Sequence, residues 1–271
     1  MLTAIDHLVV VGDIDRGVET YRRLGFTITG NEGARSVESR VALMPLTNLH
    51  MEFRAELEHP TQAGTQRLLV LRTDDLDADL ERMRSAGFNV SQAVEAPIAT
   101  DVGVLSRRSA LAEATVPIGL VEYETENGGM GTLRAPTVHP NTATVVERVY
   151  LAVESLNVAL ETFEQLLGQS APEPERGTVI MSLMSVFYLG GIGIAVAEPR
   201  GRGPTSSALA ANGPGLFQVL LRAEHLDVAA SQMVNGGAPE PTRGTRLSGE
   251  SALLVDPADA CGLYVAFAGL P

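Results

Sequence analysis

Four copies of one strand–helix–strands pattern predict an α+β protein assembled from βαβββ modules. Leu71-Arg72-Thr73-Asp74-Asp75-Leu76-Asp77 returns 150 residues later as Leu221-Arg222-Ala223-Glu224-His225-Leu226-Asp227, and the same ungapped offset carries Met83 onto Met233 and Gly87 onto Gly237. Ile5-Asp6-His7 with Ile14-Asp15 finds its counterpart in Val146-Glu147-Arg148 with Leu156-Asn157. Four openings, near residues 4, 66, 146 and 216, share one grammar, and a fixed internal period outranks any single motif as a fold signal.

Each opening begins with an apolar run of strand length: Leu8–Val11, Leu68–Leu71, Val149–Val153 and Val219–Leu221. A residue able to cap a helix follows: Asp13, Asp74 or Asp75, Ser155, and Glu224 or His225. Apolar residues then recur at three and four: Ile14, Val18 and Tyr21; Leu76, Leu80 and Met83; Leu156, Leu160, Phe163 and Leu167; and, more sparsely, Leu226 and Met233. That spacing lays them on the one helix face that covers a sheet. Gly25 and Gly168 close the first and third helices, where a left-handed residue ends the turn.

Short extended pieces complete each module. The first module has 26–29, 39–46 and 49–55, with turns at 30–33 and 45–48; the second has 88–94, 102–106 and 118–123. The third offers 179–189 and 193–197, and the fourth 252–256 and 263–267. The glycine-to-proline stretch 126–141 reads as the boundary between halves, giving domains of 1–133 and 144–271. Residues 198–204 read as an exposed loop; they hold glycines and two arginines, but no Gly-Lys-Ser/Thr ending that would make a phosphate loop.

Composition narrows the function. The 271 residues are 45% apolar and carry a formal charge of −13, a field that repels phosphate backbones and anionic lipid. No nucleic-acid or membrane partner is expected, and the lack of tryptophan, with few other aromatics, argues against a base-stacking platform. No run reaches the ~20 apolar residues of a bilayer span, and the first residues carry no signal-peptide pattern, so the expected compartment is the cytoplasm. The one cysteine, Cys261, excludes an internal disulfide and any multi-cysteine zinc site, and it reads as a small buried residue with no nucleophile motif around it. No Gly-x-Ser-x-Gly elbow is present.

Ile5-Asp6-His7-Leu8-Val9-Val10, the Asp13-Ile14-Asp15 helix start, Tyr21-Arg22-Arg23-Leu24-Gly25-Phe26 and a strand carrying Glu52 resemble the vicinal oxygen chelate superfamily, the fold of glyoxalase I, extradiol dioxygenases and bleomycin-resistance proteins. Arg72–Asp77 and His139-Pro140-Asn141 are similar to the glyoxalase-like domain proteins within it. The resemblance implies two glyoxalase-like domains, each pairing two modules into a cupped mixed sheet. It further implies a divalent ion (Zn, Fe, Mn, Ni or Co) held by the first and last strands of each module, although a metal-free cup also occurs among these proteins. Carried onto this chain, the ligand places fall on His7, Glu52 and Glu122, with Glu52 and Glu122 the carboxylates able to move a proton. The first-strand place of module two falls on Arg67, Leu68 or Leu69, none of them a good ligand, and Gln66 is one step off in register. The corresponding places of modules three and four (Arg148 or Val149, Gln218 or Val219, 195–197 and 265–267) leave the second half metal-free.

Each candidate has a plainer alternative. His7 reads equally as a hydrogen-bonded strand histidine and Glu52 as a solvent-facing carboxylate. Glu124 shares the parity of Glu122, and His50 shares the strand face of Glu52 and could supply a missing ligand. His59 and His139 precede prolines in turn-like contexts and read as structural, His225 as a cap, and the repeated Arg72 and Arg222 as a constraint of the fold. The resulting expectation is a divalent-metal-dependent lyase, isomerase or dioxygenase-type enzyme acting on a small oxygenated substrate, with a homo-oligomer possible. The alternative is a metal-free protein that sequesters a small molecule, as bleomycin-resistance proteins do.

Overall fold

A computed structural model describes residues 1–30, 41–57, 59, 67–100, 103–124, 138–246 and 248–269. Module one comprises β1 (Leu2–Val11), α1 (Ile14–Arg23), β2 (Thr29–Gly30), β3 (Ala42–Pro45) and β4 (His50–Arg54). Module two follows with β5 (Arg67–Thr73), α2 (Leu76–Ser85), β6 (Asn89–Val90), β7 (Val94–Thr100), β8 (Gly103–Glu113) and β9 (Pro117–Glu124). Module three contains β10 (Ala143–Ala152), α3 (Leu156–Leu167), β11 (Glu175–Gly177), β12 (Ser182–Leu189) and β13 (Ile192–Pro199), and α4 (Pro204–Asn212) trails it. Module four is β14 (Gly215–Ala223), α5 (Leu226–Asn235), β15 (Thr242–Thr245), β16 (Ser251–Val255) and β17 (Tyr264–Gly269).

The four modules form two mixed sheets, ordered β2-β3-β4-β1-β5-β9-β8-β6, with β7 added beside β8, and β11-β12-β13-β10-β14-β17-β16-β15. In every module the first strand runs parallel to its own last strand, and the first strands of paired modules run antiparallel down the centre. The expected architecture of four modules in two curled sheets is therefore the one observed. Residues 126–137 of the proposed boundary stretch 126–141 lie outside the described residues, as do Gln66 and the 31–33 turn.

Both central strands carry the same irregularity. β1 slips by one residue between Ile5 and His7 against β5, and β10 slips between Val146 and Arg148 against β14. Such a bulge puts two consecutive residues opposite one partner and re-aims their side chains.

The caps follow the sequence. Asp13 accepts from the N–H groups of Asp15 and Arg16, and Asp75 from that of Ala78. Ser155 and His225 occupy cap positions without a side-chain cap bond. At α3 the duty passes to Glu198, whose Oε2 accepts from the Leu156 N–H at 2.8 Å.

One expectation needs correction: the loop reading of 198–204 stops short of a helix. Pro204 opens α4 at a position where its missing N–H costs nothing, and the helix ends at Gly213. Its apolar residues are not arrayed on one clear face, so periodicity alone passed it over. α4 lies across β10, β13 and β14, with Ala208 and Leu209 packed on Tyr150, Ala152 and Ala197 inside the second cup.

The helical faces of both sheets share one core. Tyr21, Leu24, Phe26 and Phe53 of module one belong to the same buried cluster as Phe163, Leu216 and Phe267 of the second half. Phe26 stacks on Phe267 with centroids 5.9 Å apart, and the Tyr21 hydroxyl donates to the Ala260 carbonyl. Each concave face lines its own separate apolar cluster. No helix among the described residues is long and apolar enough to cross a membrane.

Candidate metal centre

On β4, Met51 and Phe53 enter the shared core, so alternation turns His50, Glu52 and Arg54 toward the first cup. β1 lies beside β4 in parallel register with His7 opposite His50, and the two imidazoles stack with centroids 5.0 Å apart and planes 12° from parallel. Glu52 sits two residues along from His50. Its Oε1 is 3.1 Å from His50 Nε2, and its Oε2 is 3.7 Å from His7 Nε2. All three side chains are buried, and one donor atom from each falls within 4.8 Å of the other two. Glu52 therefore does not face solvent, and His50 fills the third position of the group.

The β1 bulge adds a fourth member. Asp6 and His7 turn to the same side of the sheet, and Asp6 Oδ2 lies 2.7 Å from His7 Nδ1. The Tyr123 hydroxyl donates to the same oxygen at 2.8 Å. A carboxylate on Nδ1 fixes the N–H there and leaves the lone pair of Nε2 on the side of Glu52, able to ligate a cation.

The electrostatics favour ionised acids. Burial alone would raise Glu52, but the His7 and His50 imidazoles and Arg54, whose Nε donates to Oε2 at 2.6 Å, outweigh it and hold Glu52 well below the usual carboxylate range. Asp6 is likewise lowered despite burial, chiefly through its hydrogen bond with His7. Tyr123 is pushed well above the usual phenol range by burial and by the Asp6 charge, so it remains a donor.

Glu122 stands apart from this group, and its expected place among the ligands is corrected. β9 pairs with β5 so that Gly119 lies opposite Val70, a cup residue; Val121 and Tyr123 share that face, and Glu122 takes the other. There its Oε1 accepts from the Leu76 N–H at 3.2 Å and its Oε2 from Arg108 at 2.9 Å, an acid stabilising the start of α2 as Glu198 does for α3. The side chain of Glu124 lies outside the described residues.

Module two therefore supplies, from β5 and β9, an apolar wall, with Arg107 and Ser109 of β8 lining the hollow beside it. Leu68, Val70, Gly119 and Val121 face the donors across a hollow of about 40 Å³, space for roughly three waters. A Cβ at Gly119 would press into Val70 and Leu68, so glycine is what lets β9 close on β5 here. His59, expected to be structural, lines the same hollow and contacts Ser109 Oγ and Ser91 Oγ, each at 3.3 Å.

The comparisons agree with this architecture. The family model described as glyoxalase-like domain matches residues 5–167, which hold every member of the donor group. The chain belongs to that family. No curated protein matches this glyoxalase-like chain in sequence. Among solved structures, a mutant of 4-hydroxymandelate synthase from Streptomyces coelicolor is 14% identical over 98% of this chain and 93% of its own, with a TM-score of 0.62. A xylose isomerase-like TIM barrel/4-hydroxyphenylpyruvate dioxygenase fusion protein is 13% identical over 99% of this chain, also at 0.62, and this chain spans 49% of its length. Methylmalonyl-CoA epimerase from Mycobacterium tuberculosis is 20% identical over 48% of this chain and 90% of its own, at 0.42. The two likenesses at 0.62, each over nearly the whole chain, establish the four-module vicinal oxygen chelate fold.

The donor chemistry suits a divalent cation. Two imidazole nitrogens and a carboxylate oxygen are the mixed set that Fe(II), Zn, Mn, Ni or Co accepts, and ligands ~2.1 Å from one ion stand roughly 3–4 Å apart, close to the spacings seen. All three donors come from module one, a departure from the expected sharing between modules. It follows from module two having leucine, valine and glycine on its cup face.

Proposed function

We propose that this chain is a divalent-metal-dependent enzyme acting on a small oxygenated substrate in the first cup, of dioxygenase or lyase/isomerase type. The convergence of His7, His50 and Glu52, with Asp6 holding the far nitrogen of His7, carries the reading. When bound there, a divalent ion supplies Lewis acidity toward neighbouring substrate oxygens and holds charge that develops on them. The remaining work falls to the chain. Asp6 orients His7, Arg54 donates to Glu52 and holds it in place, and Val9, Leu68, Val70 and Val121 exclude water and receive the carbon side of the substrate. Glu52, within 3.7 Å of both imidazoles, fits a ligand place, and it is the carboxylate in the group that could also move a proton. An isomerase reaction needs such a carrier, and His59 is the imidazole lining the hollow outside the donor set.

Metal titration of the dialysed protein, with anaerobic Fe²⁺ and with Zn²⁺, Mn²⁺, Ni²⁺ and Co²⁺, tests this. One ion binds per chain, and His7→Ala, His50→Ala or Glu52→Ala weakens binding at least tenfold. Native protein that binds none of these ions at micromolar concentration refutes the reading.

A second reading, a metal-free binder of small molecules, draws on one observation. Arg54 already places a cation 2.6 Å from Glu52 Oε2, opposite an aliphatic wall. Small-molecule binding in the first cup that is indifferent to chelator and to His50→Ala decides for it.

A further inference from the structure

The second cup differs from the first in chemistry at the corresponding places. Matching bulges and pairings set Arg148 at the place of His7: His7 lies opposite His50 and Val70, and Arg148 opposite Gly193 and Leu220. The places of His50 and Glu52 accordingly fall on Gly193 and Ala195. Imidazole, imidazole and carboxylate in one half thus correspond to one guanidinium in the other.

Three observations suggest what that guanidinium is for. First, beyond the part of the sheet that α4 packs on, a cavity of about 330 Å³ lies beside Arg148, Tyr150, Met184, Gln218 and Leu254. This is the size of ordinary small-molecule sites. Second, Arg148 is poorly neutralised. Its buried Nε has no hydrogen-bond partner among the described residues, and the nearest acid, exposed Glu175, is 3.8 Å from Nη1, beyond hydrogen-bond reach. Its neighbours differ sharply: Arg222 and Arg246 are both paired with Glu147 and Glu250. A partly buried guanidinium whose Nε finds no partner is costly unless an anion meets it. Third, the strand beside it makes room. A Cβ on Gly193 would come within 3.2 Å of Arg148 Cγ, so the arginine stem lies against bare backbone with its head held near the Tyr150 ring.

We propose that the C-terminal cup is a second, metal-independent site that takes a small organic carboxylate, with Arg148 gripping the carboxylate and Tyr150, Ile180, Met184 and Leu254 enclosing an apolar body. A fork of N–H donors matches a carboxylate in geometry as well as charge, and Gln218 lines the same cavity. The site is independent of the proposed metal centre, because the two cups open on different sheets.

Calorimetric titration of the full chain with 2-naphthoate, in the presence of EDTA, tests the site against its uncharged analogue 2-naphthamide. Naphthoate binds at least tenfold tighter than the amide, Arg148→Gln removes that preference, and His7→Ala leaves it unchanged. Because Arg148→Gln alters a partly buried group, native protein gives a further measurement: phenylglyoxal labels Arg148, and naphthoate protects it, as read by peptide mass spectrometry. Equal binding of acid and amide, an unchanged preference in Arg148→Gln, loss of binding in His7→Ala, or no protection of Arg148 overturns the proposal.

Discussion

Asp6 Oδ2 lies 2.7 Å from His7 Nδ1, a contact between chain neighbours that a regular strand forbids by sending them to opposite faces. The β1 bulge makes it possible, and His7 is thereby fixed before any ligand arrives. Asp6→Asn preserves shape but removes the charge. Metal affinity falls about 10–100-fold, the usual cost of losing such a supporting carboxylate. Tyr123→Phe, which removes one donor to Asp6, causes a smaller loss. Competition against a chromogenic chelator measures both.

Glu122→Gln separates ligand from cap. The variant leaves metal binding as in the native chain and lowers stability by about 1–2 kcal/mol, because the Leu76 N–H and Arg108 lose a charged acceptor. Urea melts and metal titration of one preparation give both numbers.

His139 sets a pH dependence. Its Nδ1 accepts from the Thr27 N–H at 3.0 Å and its Nε2–H donates to the Pro45 carbonyl at 2.8 Å, an arrangement that requires the neutral ring. Burial holds its pKa below the ordinary 6.5, against the opposing effect of the Pro45 bond. The unfolded chain therefore binds the proton first. This contribution is complete above pH 6.5 and is lost as pH falls from there through the folded pKa, by at most ~1.4 kcal/mol per pH unit. Denaturant midpoints across that window show the slope in the native chain and its absence in His139→Gln; a slope of the same size in both refutes it.

Gly236→Ala probes the seam between halves. The residue has an ordinary φ of −75°, so alanine is allowed locally. A Cβ there falls onto the Arg23 carbonyl oxygen at the end of α1, and the variant loses about 2–3 kcal/mol or more in thermal or urea melts.

The modules, their helices and two of the three central donors were legible because they rest on local signals: β-branched runs, capping aspartates, apolar spacing and a repeat that shows itself at 150 residues. His50 was visible only as a residue sharing a face with Glu52. What raised it to the group was the parallel register of β1 on β4, a pairing between segments far apart in the chain. Glu122 was misplaced by one step of alternation, the smallest error a strand permits and enough to move a side chain through the sheet. Asp6 stood inside the recognised Ile5-Asp6-His7 motif, yet its role needs a bulge that no composition rule announces. α4 escaped because its cues are a proline and a glycine at its ends, with no periodic face between them.

Because Tyr21, Phe26 and Phe53 are buried together with Phe163 and Phe267, each half is the other's missing interior. A gene split between β9 and β10 would yield two slabs, each with a naked greasy flank whose best available cover is the sibling fragment. The expected outcome is that the two co-purify when coexpressed and that each alone is recovered in the insoluble fraction, as a pull-down and a solubility assay would read. Whatever chemistry the cups perform, their independence is confined to the concave sides, because the convex sides share one core.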